Sequence, residues 1–268
     1  MAGARLVVDF RKLASYRSRL YQSVLQEIRQ RYAGSVLGIA WAVLYPLMLL
    51  GLYAVIYVFI FRVTPPSLTR YEYVILVFSG LVPLLAFNES LMAAVSSLVS
   101  NRNLLLNTFF PSELIPVRAI LAAQTPSIVS ISTTLVCGFL LGRTNWNALL
   151  AVPILWLLLI MFVTGLGWVL ALLTLVARDI QHVMGLILMA LIILSPFAYT
   201  PEMVPSSLRA LLYLNPLSYY VLGFQQVITF GKWPSLALLA PMMVLSFGSF
   251  FGGFWFFQRV KHVFFDYA

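Results

Sequence analysis

Residues 148–176 read ALLAVPILWLLLIMFVTGLGWVLALLTLV, a run of 29 residues without a single charge. A helix needs only about 17 to 25 such residues to cross a hydrocarbon layer of ~30 Å. The run is continuous rather than alternating, so it predicts a helix and not a barrel strand, because only a helix satisfies its own backbone polar groups within one apolar segment. Working outward, five more stretches read the same way, near 36–61, 73–99, 113–141, 183–200 and 235–257. The expected fold is an all-α integral membrane protein with six transmembrane helices in a membrane domain, 36–257, between an N-terminal segment, 1–35, and a short C-terminal one, 258–268.

Composition supports this class and excludes others. Of 268 residues 62% are hydrophobic and only 9% charged, with a mean hydropathy of +0.95. Too few polar residues exist to clothe a soluble globule, and the lone Cys137 excludes a disulfide scaffold. The net charge of +9 is explained by topology and implies no nucleic-acid partner. Arg5, Arg11, Lys12, Arg17, Arg19, Arg29, Arg31, Arg102, Arg178, Arg259 and Lys261 fall on one side of the serpentine; Arg62, Arg70, Arg143, Arg209 and Lys232 fall on the other. Eleven against five puts the first side, with both termini, in the cytoplasm. No cleaved signal peptide is expected, because the first apolar run is too long and ends without a small-residue cleavage site.

Two regions depart from the serpentine. Within 19–30, Leu20, Tyr21, Val24, Leu25 and Ile28 share one helical face, and Arg19, Gln22, Gln26, Arg29 and Gln30 share the other. That pattern predicts an amphipathic helix lying at the membrane interface, or one packed on the protein itself. Arg17 and Arg31 fall on its apolar side and must snorkel or find partners. Between 201 and 234, two apolar pieces meet at Asn215-Pro216, each too short to cross; short re-entrant periplasmic helices before the last span are the expected solution.

No G-x-x-x-x-G-K-[ST] phosphate loop occurs, so the chain is not expected to be an ATPase, and His182, His262 and Cys137 make no metal or nucleophile constellation. Each span carries a proline: Pro46, Pro83, Pro126, Pro153, Pro196 and Pro241. Pro196, beside the irregular region, is the best placed for a functional break. Glu89 and Arg118 lie inside spans, where a charge costs roughly 2.5 to 3.5 kcal/mol, so each should face protein or water. An interhelical Glu89–Arg118 pair is one solution; Arg118 snorkelling beside a hydrated Glu89 is the other. In the first span Trp41, Tyr45, Tyr53 and Tyr57 recur at multiples of four residues and form one stripe. It serves either ordinary helix packing or, with phenolic hydroxyls at depth, a lane for a sugar chain, with Tyr199 a candidate at the outer exit.

Five motifs follow in order: EIRQRYAGSVLGIAWAVLYP (27–46), FSGLVPLLAFNESL (78–91), SNRNLLLNTFFPSELIPV (100–117), ARDIQHV (177–183), and SPFAYTPEMVP with LNPLSYY (195–220). Together they resemble the permease subunit of type-2 ABC exporters, especially those of O-antigen, capsule and teichoic acid. The resemblance covers nearly the whole chain. It implies a homodimer in the bacterial inner membrane, two copies of a cytoplasmic ABC ATPase that hold ATP and Mg, no cofactor on this chain, and a lipid-linked glycan as substrate. It also implies that the loop at 100–112 couples to the ATPase through Asn101, Arg102, Asn103, Leu104 and Leu105. The function expected is therefore ATP-driven export of lipid-linked polysaccharide from cytoplasm to periplasm. Export of a lipid, drug or teichoic acid is the alternative within transport, and a non-transporting membrane enzyme or assembly scaffold the alternative outside it.

Overall fold

The computed structural model describes residues 16–56, 60, 68–101, 111–199, 205 and 209–265, with backbone alone at 209, 211 and 262–265. Among them the chain is helical, without strands. Helix α1 is Arg17–Arg31; a 3-10 turn, Gly38–Ala40, leads into α2, Trp41–Val55. Then come α3 (Arg70–Ser100), α4 (Leu114–Leu140), α5 (Ala148–Val176), α6 (Ile180–Leu194), α7 (Arg209–Leu214), α8 (Pro216–Ile228) and α9 (Leu236–Phe265).

Helix α3 is the axis of the bundle. It is apolar on nearly every face, as a helix surrounded by others must be, and packs on α4, α5, α6 and α8. Its start is a capping box in which the Thr69 amide donates to Glu72 Oε2 at 2.7 Å. Glu72 Oε1 in turn takes Arg143 Nε at 2.6 Å and so pins the α4–α5 connection to the same end. In the middle of the bundle, Phe87 of α3, Phe162 of α5 and Tyr220 of α8 stack with ring centroids 5.4 and 5.5 Å apart. The Tyr220 hydroxyl meets Ser246 Oγ of α9 at 2.6 Å, and Ser246 Oγ donates to Leu158 O of α5 at 2.7 Å.

Helices α5 and α9 cross in close contact where small residues meet. A Cβ on Gly165 would lie 2.1 Å from Ser249 O, and one on Gly253 would lie 2.1 Å from Gly165 O. This is the small-residue seam that lets membrane helices approach backbone to backbone. Below it, Trp168, Phe254, Phe257, Leu98 and Ile115 form a second core uniting α3, α4, α5 and α9.

Among the described residues, five helices are long and apolar enough to cross a membrane: Gly38–Val55, Arg70–Ser100, Leu114–Leu140, Ala148–Val176 and Leu236–Lys261. The sixth expected span, 183–200, is represented by α6, which ends at Leu194 after 15 residues. Pro196 explains the stop, because the residue before a proline is driven out of the helical region, and Ser195 is extended with ψ 140°. Carbonyls at the break are not left bare: Gln225 Nε2 of α8 donates to Pro196 O at 3.1 Å and Phe197 O at 3.2 Å, and it also reaches Leu76 O of α3 at 3.3 Å. The region 201–234 divides at Asn215 into α7 and α8. Asn215 Oδ1 accepts the Leu217 amide at 2.9 Å with Pro216 in the first turn, a standard helix start.

Helix α1 packs against α4. Its protein-facing side is Leu20, Ser23, Val24, Glu27 and Ile28, all half-buried, whereas Tyr21, expected on the apolar face, is exposed. Only Ala42, Pro46 and Leu50 of α2 are buried, a single stripe toward α4, so most of α2 faces outward; α6 likewise exposes Val183, Leu186, Met189 and Ile193.

Candidate functional site

An elongated cleft of about 590 Å³ opens where the end of α1, α2, α3, α4 and the first turn of α6 converge. Glu89, Met92, Ala93 and Ser96 supply its α3 wall, at the spacing that puts residues on one helical stripe. Opposite stand Arg31, the last residue of α1, and Tyr32 after it, with Tyr45 of α2, Pro126 of α4 and Gln181 of α6. Pro126 lacks the amide that would serve Ala122 O, and the Thr125 hydroxyl takes that carbonyl at 3.0 Å instead. Ser96 Oγ is turned back on its own helix, donating to Met92 O at 3.1 Å. Burial pushes the Tyr32 hydroxyl above its ordinary value, with Arg31 opposing and Glu89 adding, so at neutral pH it remains a neutral donor. The lining can therefore offer a carboxyl group, guanidinium and phenol donors, an amide and aromatic faces.

Four of the residues singled out in the sequence, Arg31, Tyr45, Glu89 and Pro126, thus line one space. Trp41 and Tyr53 lie half-buried elsewhere along α2, Tyr57 lies outside the described residues, and the Tyr199 hydroxyl donates to Leu194 O at 3.0 Å, closing the last turn of α6.

Arg118 does not pair with Glu89. Its Nη2 meets Glu27 Oε2 of α1 and donates to Asn101 Oδ1, both at 2.7 Å, and its Nη1 donates to Ser23 Oγ at 3.3 Å. Depth is the reason: Arg118 begins the second turn of α4, level with the end of α3, whereas Glu89 precedes Asn101 by a helical length of about 18 Å. Asn101 is itself oriented by its own Nδ2, which donates to Ser97 O at 2.9 Å.

A second anchor lies at Glu113. Gln258 Nε2 donates to its carboxylate at 2.7 Å, Lys261 of α9 forms an ion pair with the same oxygen, and Trp168 Nε1 of α5 donates to its backbone carbonyl at 2.8 Å. Burial alone would raise the Glu113 carboxyl, but Lys261 and Gln258 outweigh it and hold the group below its usual range. Arg102, Asn103, Leu104 and Leu105 lie outside the described residues; the segment containing them leaves one anchor at Asn101 and returns to the other at Glu113.

Several residues of this arrangement escape a reading of the sequence alone. Glu27 and Ser23 are one turn apart, so the pairing face of α1 is visible only as two polar residues interrupting an apolar stripe. Gln181 and Arg31 sit inside quoted motifs, yet no local pattern says that they meet. Gln225 looks like any polar residue of an amphipathic helix until its three carbonyl partners are seen.

The ABC-2 type transporter family matches residues 19–229, from α1 to the end of α8. Over 242 residues the chain is 26% identical to the O-antigen export system permease protein RfbA of Myxococcus xanthus, covering 88% of this chain and 91% of that one. A Klebsiella pneumoniae protein of the same name is 24% identical over 207 residues, 77% of this chain and 78% of its own. The daunorubicin resistance ABC transporter permease protein DrrB1 of Streptomyces coeruleorubidus shares 30% over 111 residues, 40% of this chain and 39% of its own. With five helices long and apolar enough to cross a membrane among the described residues, and a family match over most of its length, the chain belongs to the ABC-2 type transporters.

Proposed function

We propose that the chain is the membrane subunit of an ATP-driven exporter of lipid-linked polysaccharide, O-antigen or capsule, working as a homodimer in the bacterial inner membrane. Both termini are cytoplasmic, and ATP and Mg are held by two partner ATPase subunits. The observation that carries this reading is the cleft at Arg31, Tyr45, Glu89 and Gln181, a polar and aromatic space in a membrane-crossing bundle whose relatives are named for O-antigen export. A sugar chain presents hydroxyls on its rim and apolar C–H faces on its rings, and this lining answers both. Glu89 accepts hydrogen bonds from hydroxyls, Arg31 and Tyr32 donate them, and Tyr45, with Trp41 and Tyr53 of α2 and with Tyr57, gives the rings a surface to slide over. Two copies placed around one axis bring two such stripes to a common path.

The segment 100–112 is the coupling element in this reading. Its frame is built for load: α1 and α4 hold one end through Glu27–Arg118–Asn101, and α5 and α9 hold the other through Trp168, Gln258 and Lys261. Displacement of the loop by an ATPase would then be transmitted to helices on both flanks. Helices α7 and α8 serve as the re-entrant outer elements.

Deleting the chain's gene in its host should leave completed lipid-linked polymer at the cytoplasmic face and none at the cell surface, and the tagged chain should copurify with an ABC ATPase. Normal surface polymer in the deletion strain would refute the export reading. A second reading, export of a small hydrophobic drug, is favoured by the partial match to DrrB1; it predicts drug sensitivity without polymer retention in the same strain.

A further inference from the structure

At the end of the bundle away from Arg118 and Glu113, the segment joining α8 to α9 closes a second cleft of about 550 Å³. Its floor is α8 at Gln225 and Gln226, and three aromatic rings surround it: Tyr213 is 50% exposed, Phe230 41% and Trp233 51%. The rim is held in place rather than left loose. Gln226 O accepts the Lys232 amide at 3.0 Å, and Gln226 Oε1 accepts the Ser235 amide at 3.0 Å. Gly231 adopts φ +62°, a conformation that side chains rarely take, and its carbonyl accepts Asn145 Nδ2 of the α4–α5 connection at 3.1 Å. On the other flank, the Tyr219 hydroxyl donates to Tyr213 O at 2.9 Å and fixes the C-terminal part of α7 on α8.

The chemistry of this lining is specific in kind. Gln226 has spent its side-chain oxygen on Ser235, and among the described residues its amide NH₂ has no acceptor. Lys232 is exposed, and among the described residues it has no carboxylate partner and no carboxylate lines the cleft. Exposed ring faces with amide and ammonium donors at their edge complement a pyranose, whose C–H face covers an aromatic ring while its hydroxyls accept at the perimeter. The volume lies in the range of small-molecule sites.

We propose that this cleft is a glycan-binding subsite that holds one or two pyranose units of the polymer as it leaves the molecule on the outer side. The proposal rests on the export function proposed above and on the orientation set by the basic residues. Occupancy would be felt beyond the cleft, because Gln225 in its floor is the residue that donates to the carbonyls at the break after α6.

The test uses Trp233→Cys in a Cys137→Ser background, in intact cells that make the polymer and in isogenic cells lacking the glycosyltransferase that initiates it. The probe is a membrane-impermeant maleimide. Labelling at 233 should be at least threefold slower in polymer-producing cells, while Trp146→Cys, on the neighbouring α4–α5 connection, labels equally in both. If Trp233→Cys does not accumulate, Ala237→Cys on the α9 wall provides the same readout. In parallel, Tyr213→Ala combined with Trp233→Ala should lower surface polymer several-fold at unchanged abundance. Equal labelling in the two strains, in cells whose export depends on the chain, overturns the subsite alone and makes these rings an interfacial aromatic belt against lipid headgroups. Export that persists without the chain overturns the subsite and the export function together.

Discussion

Arg118 shows what a single charge does in this molecule. It is 7% exposed, near the start of a membrane-crossing helix, and three partners, two from α1 and one from the end of α3, surround its guanidinium. A planar fork that bonds several acceptors at once cannot be replaced by a point charge. Removing one partner of a buried ion pair costs about 3 kcal/mol or more, less here because Glu27 keeps some access to water. We expect Arg118→Ala to lower the unfolding midpoint of the purified protein clearly, and Arg118→Lys to recover only part of it. Adding Glu27→Gln to Arg118→Ala should then cost little more, a coupling that a double-mutant cycle measures. Glu89 is a different case, since it has no ion-pair partner within 4 Å among the described residues. Glu89→Gln should therefore leave abundance unchanged and slow export several-fold, read as surface polymer per molecule of permease. Glu113 adds a pH dependence with a defined sign. Its carboxyl is held below the ordinary value, so the anchor to α9 contributes stability at every pH above about 4 and loses it as pH falls through the lower folded-state value. Glu113→Gln should abolish that part of the acid loss, measured as the difference in unfolding midpoint between pH 3 and pH 6.

Among the elements, the α5–α9 crossing is the one whose chemistry is least forgiving. The atoms facing Gly165 and Gly253 are backbone, which cannot rotate away, so even one methyl forces the helices apart. Gly165→Ala should cost about 3 kcal/mol, at the upper end for overpacking, and should also loosen Trp168 against Phe250 and Phe254. Gly248 and Gly252, on the same helix, face open space within 4 Å, and Gly252→Ala should be neutral or slightly stabilising. Thermal unfolding of the pair in one detergent separates packing from helix propensity. Helix α6 illustrates the opposite principle, a helix stopped by covalent chemistry and then repaired: Pro196 ends it, Ser195 Oγ donates to Leu191 O at 2.6 Å, and Asn215 Nδ2 donates to Ser195 Oγ at 2.8 Å.

Across the whole molecule, two of the basic residues counted for orientation, Arg143 and Lys261, also form ion pairs that tie helices together. If the basic side is cytoplasmic, Trp146→Cys in a Cys137→Ser background should react with an impermeant thiol reagent in intact cells, and Arg178→Cys only after permeabilisation. The reverse pattern would invert the topology. The membrane class, the helical architecture, the division at Asn215-Pro216 and the family were all legible in the sequence, because each follows from local properties, whereas α6 stops at Leu194, short of the residue 200 expected for it. Apolar length, proline geometry, a capping side chain and the order of motifs need no knowledge of what packs on what. Contacts between distant segments were not legible in the same way. Glu89 and Arg118 are both expensive inside a membrane, and the sequence demands partners for both without saying which; depth along α3 and the docking of α1 on α4 gave Arg118 to Glu27 and left Glu89 to the cleft. Likewise Gln225, Gln181 and the Gly165–Gly253 seam acquire their roles only from segments far away in the chain. A polar side chain is placed by whichever carbonyl, carboxylate or cavity the folded backbone brings within 3 Å or so, and that proximity is a property of tertiary packing alone.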